Sequence, residues 1–98
     1  MNFNLANKRK YSIHFNKNGE GVKYVSTKLE IDRLSDVKAF YNYISNMETE
    51  VILNRGNFQC DASSLLGVFA LDTSIPFTVS YDPKEVGFEN YIKQFEVK

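Results

Sequence analysis

Apolar and polar residues alternate along two stretches near the start of the chain, residues 11–15 and 22–31. A period of two is typical of a strand that buries one face. The residues between them, 16–21, contain an Asn-Gly pair that favours a turn. The pattern therefore predicts a hairpin. The face of its second strand that we expect to be buried carries Val25, Thr27, Leu29 and Ile31.

The spacing then changes to that of a helix. Ser35 is a candidate N-cap, and the carboxylate of Asp36 in the first turn suits the positive end of the helix dipole. Apolar residues recur every three or four positions after it, which predicts one buried helical face. That face carries Val37, Phe40, Tyr41, Ile44 and Met47.

The second half of the chain predicts a hairpin, a helix, a strand and a last helix. The hairpin turn falls at residues 54–57, and the last helix begins at Asp82-Pro83, an N-cap followed by a proline in the first turn. Phe88, Tyr91, Ile92 and Phe95 line one face of the last helix. In chain order the other elements are strands at 50–53 and 58–62, a helix at 64–71 and a strand at 77–81.

These elements predict an α+β fold, a two-layer open-faced sandwich with helices on one face of an antiparallel sheet. The other face is expected to carry the polar alternates Ser26, Lys28, Thr78 and Ser80. With 98 residues the chain has room for one domain, which we place at 11–98, behind a poorly ordered N-terminus at 1–10. The hairpin at 11–31 would make the sheet five-stranded.

Composition narrows the functional class. Residues 1–33 hold seven Lys or Arg against three Asp or Glu (net +4), and residues 34–98 hold five against nine (net −4). The acidic second part argues against nucleic acid; the basic hairpin could instead meet an acidic partner or the acidic half of a second copy. No apolar run predicts a membrane span or a secretion signal, and a single cysteine suits the cytoplasm.

The most informative segment is Asp61-Ala62-Ser63-Ser64-Leu65-Leu66-Gly67-Val68, a strand running into tandem serines that open a helix. This segment resembles the regulatory-serine element of HPr, the histidine-containing phosphocarrier family of bacterial sugar uptake. The order β-α-β-β-α-β-α from about Val25 to Val97 is similar to that family's order, with the N-terminal strand as an addition. The resemblance implies phosphorylation of Ser64, with Ser63 beside it, by an HPr kinase.

The resemblance also implies a phosphoryl-accepting histidine between the first family strand and the first helix. Here that segment is Ile31-Asp32-Arg33-Leu34-Ser35, and Arg33 stands about where the histidine would be. Arginine stays protonated and cannot be the nucleophile, and the neighbouring aspartates would repel a phosphoryl group. The chain therefore looks like an HPr relative that lacks the histidine and keeps the serine.

We predict a non-catalytic HPr-like regulatory or adaptor protein of sugar uptake or carbon-catabolite control, whose protein partner could be an HPr kinase or a transcription regulator. The predicted partner contacts are Leu65, Leu66, Phe69 and Arg33. One alternative is a purely structural role, in which Ser64 only caps a helix and the leucines only fill the core. A second alternative is a phosphocarrier with a non-standard acceptor.

Other chemistry has little support in the sequence. The one histidine, His14, alternates with Ile13 and Phe15 and is expected on the solvent face, as a structural or surface residue. Cys60 alternates with apolar neighbours and is expected to be buried and inert. No motif predicts a metal site, a cofactor or independent catalysis.

Overall fold

A computed structural model describes residues 10–62 and 72–97 of the chain. Five strands and two helices lie in these ranges. The strands are β1 (Lys10–Phe15), β2 (Gly21–Leu29), β3 (Ile52–Arg55), β4 (Phe58–Asp61) and β5 (Phe77–Tyr81). The helices are α1 (Leu34–Ser45) and α2 (Val86–Ile92), and a 3₁₀ turn at Lys93–Phe95 follows α2.

All neighbouring strands are antiparallel, in the order β1-β2-β5-β3-β4. The α+β class, the hairpin of β1 with β2 and the five-stranded antiparallel sheet are thereby confirmed. The central strand, β5, joins the two hairpins. Its Val79 lies opposite Thr27 of β2 and Leu53 of β3.

The core lies between one face of the sheet and the two helices. Because residues opposite each other in an antiparallel pair share a face, the register sets Val25 with Tyr81 and Leu53 with Val79 on the core side. Phe40 of α1 meets the rings of Phe77, Phe88 and Phe95 at centroid distances of 6.3 to 6.4 Å. Among residues 10–62 and 72–97, the core consists of Val25, Leu29, Ile31, Val37, Phe40, Ile44, Val51, Leu53, Ala62, Phe77, Val79, Tyr81, Phe88, Ile92 and Phe95.

The opposite face carries polar side chains, as the alternation predicts. Ser26 and Ser80 are cross-strand neighbours whose hydroxyl oxygens lie 2.8 Å apart in a hydrogen bond. Lys28 lies opposite Thr78 in the same pair of strands. Neither helix in the described parts of the chain has the length and apolar character needed to cross a bilayer.

Both helix starts differ from the prediction. Helix α1 has Arg33 as its N-cap, whereas the sequence predicts Ser35 there, two residues later. Helix α2 begins at Val86 with Glu85 as N-cap, so Asp82 does not cap it. The Asp82 side chain instead accepts a 2.9 Å hydrogen bond from the Lys84 N–H and forms a separate turn.

The predicted second helix, residues 64–71, and the predicted N-terminal tail up to residue 9 lie outside the described residues. Strand β1 begins at Lys10, one residue before the predicted start. Met47 packs against the core as predicted, but from beyond the end of α1.

Candidate functional site

The start of α1 is the first candidate site, because the resemblance places the family's phosphoryl acceptor there. Arg33 has an extended backbone (φ −100°, ψ 131°) and makes no side-chain capping hydrogen bond. Its carbonyl oxygen accepts the N–H groups of Asp36 at 2.9 Å and Val37 at 3.0 Å, and these bonds start the helix. The Arg33 side chain is exposed. A guanidinium in solvent can contact a partner, but it cannot accept a phosphoryl group.

A shallow cleft of about 260 Å³ lies beside this helix start. Residues 72–74 form the wall of the cleft opposite α1. They lie there because two hydrogen bonds join Thr73 to Ile31. The Ile31 N–H donates to the Thr73 carbonyl at 2.8 Å, and the Thr73 hydroxyl donates to the Ile31 carbonyl at 2.9 Å. The residues lining the cleft are Ile31, Asp32, Leu34, Val37, Asp72, Thr73 and Ser74.

Two residues with carboxylates, Asp32 and Asp72, line this cleft. Asp72 accepts a hydrogen bond from the Ser74 hydroxyl at 2.6 Å and a weaker one from the Ser74 N–H at 3.3 Å. The bonds from Ser74 hold the pKa of Asp72 below its usual range, and Arg55 nearby adds to this effect. Together with Asp32, an ionised Asp72 opposes the entry of a phosphoryl group. Sequence reasoning missed Asp72, because only the folded chain brings it to Ile31.

His14 occupies a second candidate site, near the other end of α1. Its ring stacks on Tyr24 at a centroid distance of 4.6 Å, and its Nε2 lies 2.7 Å from the Glu50 carboxylate. Glu50 follows the C-terminal end of α1 at Ser45, whereas Arg33 lies at the N-terminal end. His14 is on the face away from the core, as predicted, but its side chain is only 24% exposed because Tyr24 and Glu50 cover it.

Tyr24 is the buried centre of this second site. Its hydroxyl donates a 2.6 Å hydrogen bond to the Glu50 carbonyl. Burial, followed by the charges of Glu50, Asp82 and other nearby carboxylates, raises the pKa of Tyr24 to about 12. The phenol therefore stays a neutral hydrogen-bond donor and fixes the loop after α1 onto β2. No local sequence signal predicts this contact between residues 26 positions apart.

An open cavity of about 380 Å³ adjoins this cluster. Thr49 on its wall donates a 2.6 Å hydrogen bond to the Glu85 carboxylate, which joins the loop after α1 to the start of α2. The cavity is lined by His14, Asn16, Lys17, Asn18, Val22, Tyr24, Glu48, Thr49, Glu50 and Asp82. Within residues 10–62 and 72–97, no group of three or more His, Cys, Asp or Glu side chains could hold a metal ion.

Cys60 lies on β4, opposite Leu53 of β3 and therefore on the core side of the sheet. Its side chain is half-buried rather than fully buried. Burial raises the pKa of the Cys60 thiol, and the Asp61 carboxylate adds to this rise. A thiol that stays protonated is a poor nucleophile.

The remaining predicted site residues, Ser63, Ser64, Leu65, Leu66 and Phe69, lie outside the described residues. The residue just before them is firmly placed. Ala62 is fully buried, and its N–H donates a 2.8 Å hydrogen bond to the Val51 carbonyl. The tandem serines therefore follow directly from a core position at the end of β4.

Comparison of the chain with protein-family models, with curated proteins and with solved structures gave no match.

Proposed function

We propose that this chain is a non-catalytic, HPr-like regulatory or adaptor protein that works in the cytoplasm through protein partners. The observation that carries the proposal is the chemistry at the start of α1. Arg33 is exposed there and the carboxylates of Asp32 and Asp72 line the adjoining cleft, while His14 is held by Glu50 beyond the other end of the helix.

The order of the elements supports the HPr-like part of the proposal. Along the chain the described elements run β-α-β-β before residue 63 and β-α after residue 71, behind the additional strand β1. This is compatible with the HPr order with its middle helix in the interval between them. The open-faced arrangement of helices on one side of the sheet is compatible with it as well.

Docking suits the start of α1 better than phosphoryl transfer does. A phosphoryl acceptor needs a nucleophile that can lose a proton, and a guanidinium does not do so. An exposed guanidinium is well suited to pair with a carboxylate or a phosphate on a partner. Arg33 would thus hold a partner at the corner where a carrier would hold its phosphoryl group.

Phosphorylation of Ser64 is the proposed switch, in a pathway of sugar uptake or carbon-catabolite control. A phosphate adds a charge of about −1.5 to −2 and three strong acceptor oxygens, and near a helix N-terminus the dipole tolerates it. The anchored Ala62 gives this segment a fixed starting point on the domain. Leu65, Leu66 and Phe69 would supply the apolar part of the contact.

The test exposes the full chain to two phosphoryl donors in separate reactions, an HPr kinase with ATP and enzyme I with phosphoenolpyruvate. We expect the kinase to add one phosphate at Ser64, which mass spectrometry would locate, and we expect no label from enzyme I. The matched controls are Ser64→Ala, which should lose the label, and Ser63→Ala, which should keep it. If neither Ser63 nor Ser64 is phosphorylated, phosphorylation of this segment is excluded as the switch.

The phosphocarrier alternative has its own signature in the same experiment. An acid-labile label from enzyme I, present in the parent chain and lost in His14→Gln, would replace the adaptor proposal with a carrier that uses His14. The open cavity beside the imidazole is the observation that makes this control worthwhile.

A further inference from the structure

Strand β1 displays an apolar stripe that neither of the two described helices, α1 and α2, covers. Tyr11, Ile13 and Phe15 are 54%, 59% and 67% exposed. They share the core side of the sheet, because Tyr11 lies opposite the fully buried Val25. Three large apolar side chains in a row on one strand are unusual for a surface and indicate a contact.

The backbone of the same strand is available for pairing. Within the described residues, β1 is an end strand, with β2 as its neighbour. The Asn16 N–H donates to the Glu20 carbonyl at the turn. Since hydrogen-bonded and non-hydrogen-bonded pairs alternate along an antiparallel ladder, the even-numbered residues of β1 bond to β2. The N–H and C=O groups of Tyr11, Ile13 and Phe15 therefore point to the outer edge.

We propose that this edge pairs with the β1 edge of a second copy of the chain, antiparallel, with Ile13 opposite Ile13 on a two-fold axis. The stripe is self-complementary in this arrangement, with an aromatic residue on either side of a central isoleucine. Tyr11 of each copy meets Phe15 of the other. Ladder hydrogen bonds would form between the residues that carry the apolar side chains, so a single register satisfies the backbone and the side chains together.

Apolar pairing selects the same register. With Ile13 on the axis, all three apolar side chains of each copy face an apolar side chain of the other. A shift by two residues in either direction would leave one of them, Phe15 or Tyr11, without an apolar partner. The Lys23 amine lies 4.4 Å from the centre of its own Tyr11 ring. The two copies of Lys23 would be three strand spacings apart, about 14 Å, beyond the usual screening length.

The area that this pairing buries indicates a weak dimer. A fully buried aromatic residue hides about 150–250 Å², so the exposed parts of the three side chains come to roughly 350 Å² per copy. Two copies with their strand backbones reach roughly 1,000 Å², at the low end for specific interfaces. We expect a dissociation constant between about 1 µM and 1 mM.

Sedimentation equilibrium of the full chain over this concentration range tests the association. We expect a reversible monomer–dimer equilibrium that Ile13→Lys weakens by about tenfold or more, because the two new ammonium groups meet at the axis. Val86→Lys is the matched control, since Val86 is 62% exposed on α2, and it should leave the equilibrium unchanged. Mixing Ile13→Lys with Ile13→Glu should restore dimers. Circular dichroism would confirm that each variant is folded.

Disulfide trapping tests the register. In a chain with Cys60→Ala, Ile13→Cys should form a dimer disulfide readily, since directly opposite Cα atoms lie about 5.5 Å apart. Ser12→Cys should not, because its symmetry mate is displaced by two residues along the ladder. Equal trapping at both positions would overturn the register. A chain that stays monomeric near 1 mM would overturn the proposal. If the amides of Tyr11 and Ile13 were protected from exchange in that monomer, residues 1–9 of the same chain would be the partner of this edge instead.

Discussion

The contact between Tyr24 and Glu50 makes a sharp prediction about stability. Tyr24 is only 4% exposed, and its hydroxyl donates to the Glu50 carbonyl over 2.6 Å. Replacing Tyr24 with phenylalanine keeps the ring and the stacking on His14 but removes this hydrogen bond. We expect Tyr24→Phe to lower the free energy of unfolding by about 1 kcal/mol at pH 7, with a range of about 0.5–1.5 kcal/mol.

The same substitution should change the pH dependence of stability. Burial and nearby carboxylates raise the pKa of Tyr24 from 10.0 to about 12 in the folded chain. A raised folded-state pKa means that the folded state holds the proton more tightly. The stability that this tighter proton binding adds to the folded state is fully present below pH 10 and is lost as the pH rises towards 12. A rise of two pKa units corresponds to about 2.7 kcal/mol in the free energy of unfolding. Solvent screening in the open cavity reduces this loss to about 1–2 kcal/mol.

Urea unfolding followed by circular dichroism at pH 7, 10 and 11.5 measures both effects. The parent chain should lose more stability than Tyr24→Phe between pH 10 and 11.5, so the two free energies converge. Tyr41→Phe is the control, since Tyr41 lies on α1 with its ring against the core and should behave like the parent. Equal stability of parent and Tyr24→Phe at pH 7, or parallel losses above pH 10, would refute the reasoning.

Three further substitutions test the core, a turn and the link beside α1 by the same unfolding assay at pH 7. Phe40→Ala should cost about 3–5 kcal/mol, because the ring is fully buried among other aromatic rings; a cost below about 1 kcal/mol would contradict this packing. Gly56→Ala should cost about 1–2 kcal/mol, since Gly56 has φ +61° in a two-residue hairpin turn, and Asn57→Ala serves as its control. Thr73→Val should cost about 1–2 kcal/mol because the Ile31 carbonyl loses its buried donor, whereas Ser74→Ala should change stability by less.

The sequence predicts the elements of this fold well because most of them have one buried face. The alternation in β2 and β5 and the helical spacing in α1 and α2 each identify a buried face, and the structure confirms those faces. In β1 the apolar side chains lie on the core side of the sheet, as the alternation predicts, but they stay exposed. Period is a local property that burial imposes on every such element. Val37, Phe40 and Ile44 of α1 are all buried, as their spacing predicts.

The helix starts are harder to predict, because contacts distant in the chain decide them. Thr73 fixes Ile31 by two hydrogen bonds, so the chain turns into α1 earlier than Ser35. Asp82 directly follows β5, and its side chain caps a turn that carries the chain from the sheet to the helix layer. A capping residue in a sequence indicates that a turn or a helix begins nearby, and the sheet decides which of them forms.

The candidate sites likewise contain one residue that the sequence indicates and others that only the folded chain brings into place. Arg33 is visible in the sequence because it sits between a strand and a helix, and the structure finds it exposed at that junction. The partners of His14 were not visible, since Glu50 is 36 positions away in the chain. Asp72 reaches the start of α1 only through the link between Thr73 and Ile31. Pairings of this length depend on the register of the sheet, which no short motif encodes.

In the part of the chain that the structure describes, β1 and β4 are the two end strands of the sheet. Strand β1 forms one end of the order and β4 the other, and the tandem serines follow β4 after Ala62. Four strand spacings of about 4.8 Å separate the two edges by roughly 19 Å. Pairing through β1 would therefore not cover the β4 edge with the second copy. Loss of the dimer in Ile13→Lys should then leave the phosphorylation of Ser64 unchanged, so each proposal can fail without the other.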